Sequence, residues 1–320
     1  MSSQRTIHAD ARSSNYARLS PKLIMQLAAP HTWPAAILPV LLSSVVALSH
    51  THTLSLLMVL ALLCICILMQ AAVNTINDYY DFVKGTDTVE NQDDPEDAVL
   101  VYNNIRPRSA LYLALSFLAA ALCIGVYVIV WAGWIPLVIG VIGAVIIFLY
   151  SAGKSPISYL PIGEFVSGFT MGGLIPLACY QALTTSFSWM MLLYSLPIML
   201  GIGLIMFTNN TCDIEKDILA GRKTQSVLLG LVRARKTYHA VVLLWLLSII
   251  VLVAFFYPHG SIVCIFMLLL MYPSLQAMFR NPLIPETRGQ AMATCLTLNI
   301  GLGAFYAAAI LFDSAGFLVL

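Results

Sequence analysis

The stretch Asn74-Thr-Ile-Asn77-Asp78-Tyr-Tyr-Asp81 closes one long apolar run, and Thr208-Asn209-Asn210-Thr-Cys-Asp213-Ile-Glu215-Lys216-Asp217 closes another. Asn77 to Asp81, Asn209 to Asp213 and Asp213 to Asp217 are each four residues apart. Asn74 to Asn77 and Asp78 to Asp81 are three apart, so on a helix each group stacks its oxygens along one stripe. Like charges so placed repel by about a few tenths of a kcal/mol per pair, and by more when partly desolvated, so a cation is expected to offset them. Carboxylates supplied in ones and twos, completed by water and a substrate phosphate, are the ligand pattern of Mg2+. No set of His and Cys partners accompanies them to make a zinc site.

The runs that these clusters close are hydrophobic enough to settle the fold class. Of 320 residues, 60% are hydrophobic and 10% charged, where a soluble domain carries roughly 25% charged residues. Nine stretches of about 20 apolar residues are long enough to cross a bilayer as helices. They cover 23–48, 54–76, 110–130, 134–150, 163–183, 190–208, 238–256, 262–279 and 290–312. The expectation is therefore an all-α membrane protein of nine transmembrane helices in a single domain, 23–320, behind a polar leader, 1–22. The connections around positions 51, 132, 185 and 259 are short, whereas 77–109, 151–162, 209–237 and 280–289 are longer and charged. In this scheme all 16 Lys and Arg fall on one side, which the positive-inside rule makes the cytoplasm. The N-terminus is then cytoplasmic and the C-terminus outside, with Trp131, Trp134 and Trp189 at the outer interface.

The 16 basic and 15 acidic residues nearly cancel, so no global charge points to nucleic acid. Every acid except Asp313 shares the basic face, although the positive-inside rule does not require it. Glu90, Asp93, Asp94, Glu96 and Asp97 lack regular spacing and read as solvated loop charge. The two helix-end clusters read as a site, because ionisable groups against a bilayer are costly. Cations suited to an anionic substrate stand nearby: Lys84, Lys154 in the turn Tyr150-Ser-Ala-Gly-Lys154-Ser-Pro156, and Arg222 with Lys223 in Gly221-Arg-Lys-Thr224. A diphosphate, Mg2+ and Lys/Arg together form the electrostatic arrangement that stabilises a departing pyrophosphate. Arg233, Arg235 and Lys236 read as membrane anchors. Gly168 and Gly172 read as a helix-packing pair rather than a phosphate loop. The seven cysteines, odd in number and mostly within apolar runs, read as buried packing thiols.

These residues resemble the UbiA-type superfamily of intramembrane prenyltransferases. Three segments look like its 1,4-dihydroxy-2-naphthoate polyprenyltransferase branch, of menaquinone synthesis: Pro30-His-Thr-Trp-Pro34-Ala-Ala-Ile-Leu-Pro39, Asn77-Asp-Tyr-Tyr-Asp81-Phe-Val-Lys84-Gly85-Thr-Asp87, and Asn209-Asn210-x-x-Asp213-x-x-x-Asp217 with the Gly221–Thr224 turn. Gly85 stands where the wider family pattern has a third Asp, with Asp87 nearby, and Cys212 stands where the branch usually has Arg. The resemblance implies a helix bundle around a cavity facing the cytoplasm in the cell membrane. It implies Mg2+ held by Asp81, Asp87, Asp213 and Asp217, with Asn77, Asn209 and Asn210 helping and Asp78 supporting. Lys84, Lys154, Arg222 and Lys223 would neutralise the leaving group beside Tyr150. The substrates implied are a polyprenyl diphosphate and a small aromatic acceptor. Two other classes remain at this point. A CDP-alcohol phosphotransferase needs Gly directly after the first DxxD, where this chain has Phe82. A cation-coupled transporter is expected to carry ionisable groups near the bilayer midplane.

Overall fold

A computed structural model of the protein describes residues 16–85, 98–153 and 155–315. Its regular elements are helical, and the bridge between Ala17 and Ile105 is the one extended pairing among the described residues. In chain order the helices are α1 (Pro21–Ala28), α2 (Pro34–Thr51), α3 (Leu56–Lys84), α4 (Val99–Asn103), α5 (Pro107–Ala132), α6 (Ile135–Ser151) and α7 (Gly163–Phe169). Then follow α8 (Ile175–Thr184), α9 (Met190–Tyr194), α10 (Leu196–Cys212), α11 (Ile214–Leu219), α12 (Gln225–Phe256), α13 (Ser261–Arg280) and α14 (Arg288–Ser314).

Among the described residues, seven segments are long and apolar enough to span a bilayer: α2, α3, α5, the run Gly163–Thr184, α12, and the segments Pro258–Arg280 and Pro285–Ser314. Helices α6 and α10 are apolar but have 17 residues each. Lipid is the natural solvent of the outward faces, where Val130 and Phe255 are 74% and 80% exposed. The interior closes around Tyr238, Trp245, Tyr306 and their neighbours.

Local chemistry explains where the helices depart from the expected segments. The first predicted span is two helices, because Ala29 adopts a left-handed φ of 46° ahead of the turn Pro30–Thr32, and Pro34 restarts the chain as α2. The sixth is likewise divided at Ser195, ahead of Pro197. The stretch 225–237, expected as loop, is helix: Thr224 caps α12 by accepting from the Val227 N–H, and Gly230 breaks the regular dihedrals at φ 70°. The cysteine expectation needs correction, since Cys64 and Cys123 are exposed while the other five are buried. An apolar run marks a helix without saying which of its faces meets lipid.

Helix α5 lies along α3, presenting Ala110, Ala114, Ala121 and Val128, which are buried and share one stripe. Helix α10 packs against α7, α12 and α14, so its end is held from several sides. Between α7 and α8 a π-type turn covers Thr170–Leu174. There Gly168 and Gly172 meet α10 backbone to backbone: a Cβ on Gly172 would stand 2.5 Å from Met199 Cα. The packing role expected of this pair is thus what the structure shows. Gly172→Val is expected to force α7 and α10 apart at a cost of about 1–3 kcal/mol. A clear fall in the melting temperature of the detergent-solubilised protein would show it, and an unchanged temperature would contradict this packing.

Candidate active site

The stripe on α3 carries one wall of a cavity of about 580 Å3, with Gln70, Asn74, Asn77, Asp78 and Asp81 all lining it. The opposing wall comes from the end of α10 and from α11, through Asn209, Asp213, Lys216 and Asp217. The two acid clusters, 130 residues apart in the chain, therefore face one space. The second is not one continuous helix. Helix α10 ends at Cys212, and Asp213 turns the chain at φ −103°, ψ 21° into α11. The four-residue relation survives because the Asp217 N–H donates to the Asp213 carbonyl at 2.8 Å.

Beyond α11, Gly221 takes a left-handed φ of 71°, and the Arg222 N–H donates to the Asp217 carbonyl at 2.8 Å. This turn brings the Arg222 guanidinium back over its own acids: it stands 3.4 Å from Asp217 Oδ1 and 3.6 Å from Asp81 Oδ1, joining the two clusters. The Arg222 side chain is 17% exposed and that of Asp217 3%. Burial raises the Asp217 carboxyl to about 6, against the lowering effect of Arg222 and of the Thr224 hydroxyl, which donates to Oδ2. Burial pulls the Arg222 guanidinium down, but Asp81, Asp217 and Tyr159 together more than reverse it, and its net shift is upward.

A second arginine acts in the same way from α14. Arg288 donates through Nε to Asn209 Oδ1 at 3.0 Å and to Asp213 Oδ2 at 3.1 Å, and through Nη2 to Asn209 Oδ1 at 2.7 Å. The sequence reading counted Arg288 only as a cytoplasmic charge. A usable signal was present, because a cation on the first residue of a helix is opposed by the helix dipole and needs another reason to be there. Glu164 was also passed over. It is an acid at the head of an apolar segment, 5% exposed, whose Oε1 accepts from Asn210 Nδ2 at 2.8 Å.

Of the residues picked out in the sequence, Asn77, Asp78, Asp81, Tyr150, Asn209, Asp213, Asp217 and Arg222 line the cavity. Three others lie outside that lining. Asn210 turns to Glu164; Lys223 is exposed and gives its backbone N–H to the Tyr159 carbonyl; Lys84 Nζ donates to the Ser151 carbonyl at 2.7 Å and stands over the rings of Tyr80 and Tyr159. Lys84 thus ties α3 to the end of α6, where the Ser151 hydroxyl also bonds Asn77 Oδ1. Asp87 and Lys154 fall outside the described residues.

The donor set suits a hard cation. Among the described residues no three His, Cys, Asp or Glu side chains converge on one point. Each wall offers one or two carboxylates beside amide oxygens, which is the Mg2+ mode that leaves coordination sites to water and substrate phosphate. The cavity also has an apolar wall, with Val73, Ile146, Ile202, Ile205, Met206 and Leu296 among its lining residues.

Comparison with known proteins bears on what such a cavity does. Residues 36–298 match the model of the UbiA prenyltransferase family. The chain belongs to this family. It is 35% identical over 233 residues to the 1,4-dihydroxy-2-naphthoate octaprenyltransferase of Bacillus subtilis (strain 168), covering 72% of this chain and 74% of that one. Over 297 residues it is 26% identical to the human UbiA prenyltransferase domain-containing protein 1, covering 90% of this chain and 82% of that protein. The fold matches a UbiA homolog from Archaeoglobus fulgidus bound to GPP and Mg2+, with a TM-score of 0.63 at 18% identity, covering 90% and 99% of the two chains. It also matches the apo UbiA homolog from Aeropyrum pernix K1, with a TM-score of 0.64 at 16% identity, covering 87% and 97%. The protein is a multi-pass membrane prenyltransferase, and the phosphotransferase and transporter readings fall away.

Because burial raises the Asp217 carboxyl to about 6, its carboxylate form predominates above that pH and is lost as pH falls through it. Binding of a divalent cation is expected to weaken about tenfold per unit between pH 6 and pH 5, as one proton competes for the site. Mn2+ titrations of the purified protein followed by electron paramagnetic resonance would measure this slope. Asp217→Asn should flatten it, and a slope unchanged in that variant would assign the titration elsewhere.

Proposed function

We propose that this prenyltransferase moves a polyprenyl group from polyprenyl diphosphate to a hydroxylated aromatic acid, 1,4-dihydroxy-2-naphthoate being the acceptor that the Bacillus relative's name favours, and releases pyrophosphate in a Mg2+-dependent reaction. One observation carries this reading. Carboxylates from two separate helices meet across a cavity that also offers an apolar wall, and Arg222 joins them. A diphosphate bearing a long hydrocarbon tail has the same division of polarity.

Bound between the carboxylate clusters, Mg2+ would balance the diphosphate charge and stabilise the leaving group. Asp81, Asp213 and Asp217 are the residues to hold it, with Asp87 from the sequence pattern; Asn77, Asp78 and Asn209 line the same space. With the acids engaged, Arg222 and Arg288 can turn their guanidinium N–H groups to phosphate oxygens, for which the planar fork is suited. Lys84 and Lys223 lie outside the cavity lining, Lys154 is a further cation that the sequence pattern offers, and Asn210 steadies the end of α10 through Glu164. As the C1–O bond breaks, its electron pair leaves with the diphosphate. The allylic cation is attacked by an electron-rich carbon of the acceptor, and the ring regains aromaticity by losing a proton to the departing diphosphate or, where that carbon bears the carboxylate, by losing CO2. The walls of the helix bundle keep water from the cation.

In this reading α6 and α10 also cross the membrane, giving nine spans, a cytoplasmic N-terminus, an external C-terminus and a site facing the cytoplasm of the cell membrane. The lysines and arginines support this orientation. In a background lacking Cys64 and Cys123, a cysteine at the exposed Leu219 is expected to react with an impermeant reagent only from the cytoplasmic side, and one at Thr51 or Ser186 only from outside. Labelling of Leu219 from outside would overturn the orientation.

The reaction is tested by pyrophosphate release from purified protein given a prenyl diphosphate, Mg2+ and the aromatic acid. EDTA should silence it and Mg2+ restore it. Asp81→Asn, Asp213→Asn and Asp217→Asn should each lower the rate roughly a hundredfold or more while leaving membrane insertion intact. Full activity of any one variant would remove that residue from the ligands.

A further inference from the structure

The cavity has a second polar wall that the diphosphate does not explain. Gln70 and Asn74 continue the α3 stripe away from the acids, lying eight and four residues before Asp78, or about 12 and 6 Å deeper at the rise of a helix. Gln70 is buried within a membrane-spanning segment, where a polar side chain needs a use or a partner. Facing it is the turn Pro30–Thr32, which exists because of the left-handed Ala29 and places His31 and Thr32 on the same cavity.

The hydrogen bonds between these groups have a fixed polarity. Asn74 Nδ2 donates to the Ala28 carbonyl at 3.0 Å and to Thr32 Oγ1 at 2.8 Å, so its NH2 group must face that way and its Oδ1 is an acceptor. The Thr32 hydroxyl donates to the Ala29 carbonyl at 2.9 Å, so towards the other side chains it can only accept. Gln70 Nε2 then supplies both remaining partners, donating to Thr32 Oγ1 at 3.2 Å and to Asn74 Oδ1 at 3.3 Å. Two backbone carbonyls, which cannot donate, thereby orient the whole network and exclude a flipped Gln70 amide. What the network leaves unspent is the acceptor Oε1 of Gln70, on a residue that lines the cavity.

We propose that Gln70 Oε1 and the His31 imidazole form the subsite for the aromatic acceptor, with Thr32 and Asn74 as positioning residues for Gln70. This rests on the prenyl transfer reading above and assigns the ring its wall. An unspent acceptor on a buried amide calls for a donor, and on an aromatic acid that donor is a ring hydroxyl. His31, an exposed residue of the same lining, offers a ring N–H to the carboxylate. The isoprenoid keeps the apolar wall of α6, α10 and α14. A site built to hydrogen-bond a hydroxyl discriminates against a ligand lacking it, because its own polar atom is then left unpaired.

Equilibrium dialysis can read the subsite directly, using purified protein with Mg2+ and an unreactive prenyl thiolodiphosphate and, as probes, 4-hydroxy-2-naphthoate, whose hydroxyl cannot bond its own carboxylate, 2-naphthoate and 1-naphthol. Wild-type protein is expected to bind 4-hydroxy-2-naphthoate roughly tenfold more tightly than 2-naphthoate. In Gln70→Met that ratio should fall close to one while thiolodiphosphate affinity stays unchanged. His31→Ala, at an exposed position, should instead erase the preference for 4-hydroxy-2-naphthoate over 1-naphthol, so the subsite remains testable should Gln70→Met fail to insert. Wild-type ratios in either correctly inserted variant would overturn the proposal for that residue. A wild-type protein that shows both preferences but transfers no prenyl group would leave the subsite standing and bring down the transfer reading.

Discussion

The site depends on one electrostatic contact, the guanidinium of Arg222 between Asp81 on α3 and Asp217 on α11. Two acid clusters so far apart in the chain would repel one another if brought together unaided, and Asp217 is nearly withdrawn from solvent. Breaking a buried pair by removing one partner costs about 3–5 kcal/mol, so the acids need a cation wherever they meet. In the protein alone that cation is Arg222, with Arg288 doing the same for Asp213. The arrangement gives the arginines two uses: they balance the acids, and they stand ready for an anion when the acids turn to metal.

The membrane fold follows from the other half of the chemistry. An isoprenoid diphosphate has a multiply charged head and a tail that belongs in lipid. A bundle with its acids at one end and apolar side chains deeper in the cavity matches both. Holding the acids at that end takes backbone as well as charge. Gly172 lets α7 and α10 touch, Gly221 reverses the chain so that Arg222 returns to Asp217, and Thr224 caps α12 while donating to the same carboxylate. Each is a local conformational choice with its consequence at the site.

Much of this was legible in the sequence, because apolar length and i, i+4 spacing are local properties. The helical stripe Asn77–Asp81, the packing role of Gly168 and Gly172 and the meeting of the two acid clusters are all readable from spacing and composition. The parts that were not legible depend on tertiary direction. Asn209 and Asn210 are neighbours, yet one faces the cavity and the other Glu164, and spacing within α10 cannot choose between them. Arg288 looked like an ordinary topology charge until α14 was seen to begin beside α10. The break at Ala29 was hidden because an apolar run through Pro30 and Pro34 reads as one span, and with it went the turn that carries His31 and Thr32. Gln70 was lost inside a hydrophobic segment, where a single amide barely alters the average.

The central claim is that the two carboxylate clusters hold one diphosphate jointly. A structure of the protein with Mn2+ and an unreactive prenyl thiolodiphosphate, with the metal located by its anomalous scattering, tests it most directly. The account predicts metal on both walls, the diphosphate between Asp81 and Asp217, and Arg222 moved from the carboxylates onto phosphate oxygens. Metal on one cluster alone, with Arg222 still bridging Asp81 and Asp217, would contradict it.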